Sequence, residues 1–438
     1  MSNNIVKPSI LPGFMELNPT DQILFNKMMD IIRKNYEKFG FLPIDTPLIE
    51  KSEVLLAKGG GETEKQIYKV VKGSQDMSLR FDLTVPLARY VAQHYSELNF
   101  PYRRYHIGKV YRGERNQKGR FREFYQADID VIGNNSLSII NDAEIPSVIY
   151  STFKDLGFDK FTIRINNRKI LSGFFNSLGI EDVYAVLRVV DKIEKIGRDK
   201  VKEELVESGF SITQIDSILS FISIDGTNDA VMQRLKSLDI NNELFIEGSD
   251  ELGIVLEYLR LFGVPEENFK LDLTIARGLD YYTGTVYETY LDDYPTIGSV
   301  CSGGRYDNLA EYYTNQKLPG VGISIGLTRL FYQLMEAGII KTIDNSLTRV
   351  LVIPMEGYFD EGIELSSKLR NEGIFTQVYL EETKLGKKFS YADKLGIPFV
   401  IVIGEEEKNS DVYTLRDMIT GKQKACDYKE LIMQLNNY

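Results

Sequence analysis

Gln126 and Asp130 stand four residues apart in EFYQADIDVIG, an alternating run that reads as a strand, so both side chains leave on one face. An amide and a carboxylate placed this way suit a shared binding site. Just upstream, between Arg103 and Arg122, eight lysines and arginines (103, 104, 109, 112, 115, 118, 120 and 122) meet a single acid, Glu114, in a chain whose formal net charge is −11. Tyr102, Tyr105, Val110, Tyr111, Phe121, Phe124 and Tyr125 interleave with these charges. That spacing predicts cations projecting from a half-buried sheet rather than a solvated charge run. A cationic sheet face is a place to hold an anion, so the acidic net charge does not exclude a nucleic-acid partner, whose phosphates need only clustered cations.

Other chemistries have little material. The only cysteines are Cys301 and Cys426 and the only histidines His94 and His106, too few for a disulfide framework, a four-ligand zinc site or a Ser-His-Asp triad. No metal held by the chain's own side chains is expected. No apolar run approaches the roughly 18 residues of a membrane span, and MSNNIVKPSILPGF lacks the pattern of a secretory leader. The expectation is a folded cytoplasmic protein with no membrane partner, and its 438 residues predict two to four domains.

The positioning elements follow from periodicity. In TDQILFNKMMDIIRKNYEKFG, Leu24, Met28, Ile31, Ile32, Tyr36 and Phe39 recur at helical spacing, with Thr20 as the expected cap and Gly40 as the stop. Phe41 to Ile49 reads as an extended edge segment because of Pro43 and Pro47. Helices are expected near 84–97 and 141–156, and strands at 161–167, 269–276 and 283–290. Residues 168–262 carry short helical patterns without strands. After a polar linker near 342–346, VLVIPM, a helix near 359–371, FTQVYL, a helix near 386–395 and FVIVIG alternate as β-α-β-α-β. This order predicts a small parallel or mixed sheet covered by helices.

Three segments, in order, resemble the signature motifs of class II aminoacyl-tRNA synthetases: FGFLPIDTPLI the first, VYRGERNQKGRFREFYQADIDVIG the second and LPGVGISIGLTRL the third. RGLDYYTGTVYE (277–288) and CSGGRYDNL (301–309) further resemble the two histidine-specific motifs of the histidyl-tRNA synthetases. The resemblance implies a multidomain α/β and α+β protein. Its catalytic core, built on an antiparallel sheet, would occupy 1–167 and 263–341, interrupted by the helical insertion 168–262. The α/β segment 348–438 resembles the anticodon-binding domain of this class through KLGKKFSYADKLGIPFVIVIGEEE and YTLRDMITGKQ, with Lys384, Lys387 and Lys388 as phosphate contacts.

Carried over residue by residue, the resemblance makes Arg112 and Arg277 the catalytic pair bracketing the α-phosphate of ATP. Glu114, Arg120, Phe124 and Arg329 would handle the rest of the nucleotide, Phe124 by stacking on adenine and Arg329 at the γ-phosphate. L-Histidine would be held by Asp82, Thr84, Arg112, Gln126, Asp130, Arg277, Tyr281, Tyr282 and Tyr306. An imidazole has two nitrogens that donate or accept, and a pocket of fixed polar partners rejects analogues lacking them more strongly than an apolar pocket could. The alternative for Asp82 is capping the helix that follows, and for Tyr282 and Tyr306 a place in the core. Gly59 to Gly61 could form either a mobile element beside the site or an ordinary turn.

The implied reaction is attack of the histidine carboxylate on ATP, with Mg2+ bridging the phosphates, followed by transfer to tRNA(His). Resemblance to the first motif also implies a homodimer. The alternatives are a catalytically inactive, histidine-sensing relative, the regulatory subunit of ATP phosphoribosyltransferase, and an adenylate-forming enzyme with a non-tRNA acceptor. The sequence departs from many bacterial members of the family, and resembles archaeal and eukaryotic ones, in having Asp82 and Asp130 where glutamate is frequent. Gly113, Asn116 and Thr328 also replace a frequent His, Pro and Glu respectively.

Overall fold

The computed structural model describes residues 6–57, 62–114, 119–276, 282–341 and 346–437. They divide into two compact units, Met1–Met15 with Met28–Ile339, and Glu16–Lys27 with Ile340–Tyr438.

The first unit is organised by an eight-stranded sheet: β1 (Leu42–Pro43), β2 (Tyr102–Tyr111), β3 (Glu123–Ile132), β4 (Phe161–Asn167), β5 (Phe269–Leu271), β6 (Thr285–Leu291), β7 (Cys301–Tyr306) and β8 (Gly320–Ile325). Their spatial order is β1-β2-β3-β8-β7-β6-β4-β5. Pairing is antiparallel from β2 through to β4. Only the edge pairs, β1 with β2 and β4 with β5, run parallel. Proline cannot donate to a ladder, which confines the Pro43 segment to the edge, as its sequence predicts.

Alternation gives the sheet two unlike faces. Ala127, Ile129 and Val131 of β3, Ile323 and Ile325 of β8, and Ile163 and Ile165 of β4 point one way and are fully buried. Helix Asn141–Asp155 covers that face, where Tyr287 donates from its hydroxyl to the Asp142 carbonyl at 2.7 Å. The second half of helix Pro19–Lys38 adds Tyr36, whose hydroxyl donates to the Ala127 carbonyl at 2.9 Å. The other face is polar and holds the site.

From Arg168 the described residues form seven helices, ending with Glu243–Leu261, which packs on both Arg168–Ser177 and Asn141–Asp155. The close approach requires glycine: a Cβ at Gly173 would stand 2.4 Å from the Phe245 backbone nitrogen. These helices belong to the same compact unit as the sheet.

Local chemistry corrects two expectations. Helix Pro19–Lys38 is capped by Asn18, whose Oδ1 accepts from the Asp21 amide at 2.9 Å, while Thr20 lies inside the helix and donates to the same oxygen. Pro19 at the first position explains the shift, since it has no amide to leave unsatisfied there. The strand expected over 269–276 stops at Leu271, because Asp272 accepts from the Thr274 amide at 3.0 Å and turns the chain. A three-stranded sheet of Ile49–Lys51, Gln75–Leu79 and Lys69–Lys72 was not evident in the sequence pattern. Gly59 to Gly61 lie outside the described residues.

In the second unit, Thr376–Val378, Val350–Pro354 and Phe399–Ile403 pair in parallel, and Val412–Asp417 and Gln423–Asp427 extend the sheet as an antiparallel hairpin. Helices Phe359–Asn371 and Leu385–Lys394 make the expected crossovers, and Val350, Val352, Leu365, Leu369 and Ile401 share a core. Lys388 is a correction. It is only 5% exposed, and its ammonium donates to the Pro354 carbonyl at 3.0 Å, so it serves packing instead of presenting itself to a phosphate. Among the described residues no helix is long and apolar enough to cross a membrane.

Candidate functional site

The polar face of the first unit opens into a cavity of about 460 Å³. Its floor is one register row. Asp128 of β3 lies opposite Ser324 of β8, Ser324 opposite Ser302 of β7, and Ser302 opposite Glu288 of β6. One strand step away, Gly322 and Gly304 face each other in the sheet. A Cβ at Gly322 would stand 2.3 Å from Asp130 Oδ1, so side chains are absent where the floor must remain deep.

The turn before helix Thr84–Gln93 supplies Asp82 and Thr84 to the lining. Asp82 does cap: its Oδ1 accepts from the Val85 amide at 3.1 Å. Its Oδ2 is buried with no hydrogen-bond partner among the described residues, so capping fixes the carboxyl while leaving one oxygen to spare. Gln126 resembles it. The amide nitrogen donates to Ser324 Oγ at 2.7 Å and the Oε1 atom is left unsatisfied.

Burial dominates the electrostatics. It pushes the Asp82 carboxyl up to about 6, against the nearby Arg112 and the Val85 amide, and Asp128 up to about 7, against Arg104. Asp130 is raised to about 6 by the same cause. Buried carboxyls in the lining that keep an oxygen without a hydrogen-bond partner among the described residues suit a cationic ligand.

The nucleotide half lies at the end of β2 and β3. Arg112 donates from Nε to the Phe81 carbonyl at 2.9 Å and sits over the Phe124 ring, 5.2 Å from its centroid. Glu114 and Arg120 pair at 3.2 Å. Arg329, on helix Leu327–Glu336, donates to the Ile297 carbonyl at 3.3 Å. The buried hydroxyl of Thr328 accepts from the Tyr125 amide at 2.8 Å and locks that helix to β3.

Of the residues singled out from the sequence, Asp82, Thr84, Arg112, Glu114, Arg120, Phe124, Gln126, Tyr282, Tyr306 and Arg329 line this one cavity. Arg277 and Tyr281 lie outside the described residues. Asp130 is placed differently: it is absent from the lining among the described residues, and its oxygens meet the Tyr306 hydroxyl at 2.7 Å and Arg104 at 2.5 Å. The residues missed were Asp128, Ser302, Ser324 and Glu288. Asp128 was within reach, because it shares the face of Gln126 and Asp130 by the same alternation. The other three needed the sheet register.

Four of the six described cations of the run are ion-paired on folding. Arg103 pairs with Glu144 at 2.8 Å, Arg104 with Asp130, Lys109 with Glu123 at 2.8 Å and Arg120 with Glu114. Arg115 and Lys118 lie outside the described residues. Acids distant in sequence, such as Glu144, reduce the local charge count.

Comparison with known proteins extends this picture along the chain. The family model described as Histidyl-tRNA synthetase matches residues 13–330, and the Anticodon binding domain model matches 349–438. The chain is 65% identical to the histidine–tRNA ligase of Clostridium tetani over all of both chains. It is 51% identical to that of Finegoldia magna, over 98% of this chain and 100% of the relative. The crystal structure of histidyl-tRNA synthetase from Nostoc sp. PCC 7120 superposes with a TM-score of 0.91 at 41% identity, covering 99% of this chain and 100% of that one. These matches do not favour a catalytically inactive regulatory relative.

Proposed function

The chain belongs to the histidyl-tRNA synthetase family and is a histidine–tRNA ligase that consumes ATP, and on that premise we propose how its cavity divides the work. The observation that carries the reading is the pair of fixed, buried acceptors, Asp82 Oδ2 and Gln126 Oε1, on the polar floor within one cavity with Arg112. An amino acid's ammonium would sit on the acceptors with Thr84. Its carboxylate would then face Arg112.

In this reading Arg112 and Arg277 bracket the α-phosphate and stabilise the negative charge that grows as the histidine carboxylate oxygen attacks phosphorus and pyrophosphate leaves. The Nε contact to Phe81 pre-orients the Arg112 fork. Phe124 stacks on adenine, while Glu114, Arg120 and Arg329 hold the remaining nucleotide. The terminal ribose hydroxyl of tRNA(His) then attacks the histidyl carbonyl and AMP departs. Asp130 acts on the substrate through Tyr306, whose hydroxyl it fixes. Mg2+ would enter with the phosphates, an arrangement needing only one or two protein carboxylates, and Glu114 fits that part beside Arg120; bound there it would neutralise phosphate charge.

ATP–pyrophosphate exchange with each of the twenty amino acids tests the assignment. Exchange with histidine alone is expected, and exchange with none would overturn it. Occupancy should also show in stability. A carboxyl raised above its unfolded value binds its proton more tightly in the folded chain, so Asp82, Asp128 and Asp130 each lower stability as pH climbs from about 4 to about 7. The histidine ammonium offsets the Asp82 share of that loss only where this carboxylate is charged. Saturating histidine is therefore expected to raise the melting temperature more at about pH 7.5 than at about pH 5.5. An equal rise at both would show that Asp82 does not meet the ligand.

We further propose a homodimer formed across the exposed edge carrying β1, where Leu42, Leu48 and Ile49 are uncovered. Sedimentation is expected to report twice the chain mass at working concentration; a monomer would remove the idea. The compartment we assign is the cytoplasm, whose reducing conditions suit the two free, buried cysteines.

A further inference from the structure

We propose that Arg168 is a positioning residue for histidine activation, its guanidinium fork setting where the chain enters and leaves the segment that opens with Arg277. The inference rests on the reading above that Arg277 acts at the α-phosphate. Arg168 is not among the described residues lining the cavity, and it is only 6% exposed. Its Nη1 donates to the Tyr282 carbonyl at 3.0 Å, and its Nη2 reaches the Ala276 carbonyl at 3.4 Å. Tyr282 lines the cavity, and Ala276 is the residue before Arg277.

The chain needs such a hold at this place. Among the described residues no strand lies between β5, which ends at Leu271, and β6, which begins at Thr285. Side chains at the end of β4 take over from the missing ladder. Asn166, fully buried, donates from Nδ2 to the Ile275 carbonyl at 2.9 Å and reaches that of Leu273 at 3.4 Å. Arg168, two residues on, continues the row to Ala276 and Tyr282, and its own amide donates to the Gly284 carbonyl at 2.9 Å. Thr283 is tied to β7 and the residue after it: its amide donates to the Arg305 carbonyl at 2.9 Å and its hydroxyl to Asp307 at 2.6 Å.

The base from which Arg168 reaches is itself fixed. β4 is an interior strand, between β6 and β5. Asn167 donates from Nδ2 to Glu251 at 2.8 Å, and Lys169 pairs with Glu251 at 2.5 Å and Glu247 at 2.8 Å, so the residues on both sides of Arg168 are anchored to helix Glu243–Leu261. A guanidinium carries its donors in a planar fork of fixed geometry, so one fork on two carbonyls fixes their separation; a lysine's single charged point cannot. Such a hold matters to rate, because a misplacement of about 1 Å in the reacting geometry can cost about 10²-fold.

The test is histidine-dependent ATP–pyrophosphate exchange by the wild-type chain, Arg168→Met, Arg168→Lys, Arg277→Ala and Arg168→Met combined with Arg277→Ala, with folding checked by calorimetry. In folded Arg168→Met, kcat is expected to fall roughly 10- to 100-fold while the KM for ATP stays within about threefold, since the loss is felt in the transition state. Arg168→Lys should lie between Arg168→Met and wild type. On the Arg277→Ala background, Arg168→Met should cost less than about threefold, because the group it positions is already gone. A kcat within about twofold of wild type in folded Arg168→Met, a wild-type rate in Arg168→Lys, or full additivity in the double variant overturns the proposal. If Arg168→Met does not fold, Arg168→Lys carries the comparison; if neither folds, Arg168 belongs to the fold alone and the proposal is overturned. A near wild-type rate in Arg277→Ala would instead overturn the underlying reading.

Discussion

Arg112→Ala is expected to lower kcat/KM for adenylate formation by about 10²- to 10³-fold, the usual loss when one preorganised donor to a developing oxyanion is removed. The fold should survive. What the scaffold loses is one hydrogen bond to the Phe81 carbonyl and a stacking contact with Phe124, together about 1 to 2 kcal/mol. Pyrophosphate exchange beside calorimetry separates the two effects. A near wild-type activation rate in a folded variant would remove Arg112 from the chemistry, and the same comparison on Arg277→Ala tests its proposed partner.

Arg305→Met should do the reverse, unfolding the first unit more easily by about 3 to 5 kcal/mol because a buried carboxylate loses the cation that pairs with it. Arg305 and Asp142 are almost wholly buried, with contacts of 2.6 and 3.0 Å, and the pair ties β7 to helix Asn141–Asp155. Chemical denaturation reads the difference. A loss under about 1 kcal/mol would mean the pair behaves as a surface bridge. Arg305 sits next to Tyr306 in CSGGRYDNL, yet alternation sends the arginine to the packed face and the tyrosine to the cavity. The motif is therefore half scaffold and half site.

That division explains what could be read in advance. Phe161–Asn167 was legible as FTIRINN and helix Phe359–Asn371 from its apolar spacing, because periodicity is a property of neighbours along the chain. The motif residues of the cavity were legible through resemblance. Placing Asp128 in the lining and Asp130 beneath it required knowing that Gly322 lies beside Asp130 and Ser324 beside Asp128 in β8, nearly two hundred residues on. The roles within the 103–122 run could not be told apart for a related reason: Glu144 and Asp130 pair with Arg103 and Arg104 only after folding. Asn18 prevailed over Thr20 as a cap because Pro19 takes the first helical position, in a stretch where either side chain could accept.

The floor residues Gln126, Asp128, Ser324 and Ser302 stand on β3, β8 and β7, strands with a neighbour on each side. Arg112, by contrast, follows the last residue of β2, where its amide still reaches the Arg122 carbonyl at 2.9 Å but the sheet ladder has ended. Amide exchange should reflect this, since freeing a floor amide means opening an interior strand, whereas freeing that of Arg112 breaks one contact. Heating or mild denaturant is then expected to erode turnover before discrimination: the enzyme would slow while still choosing the same amino acid.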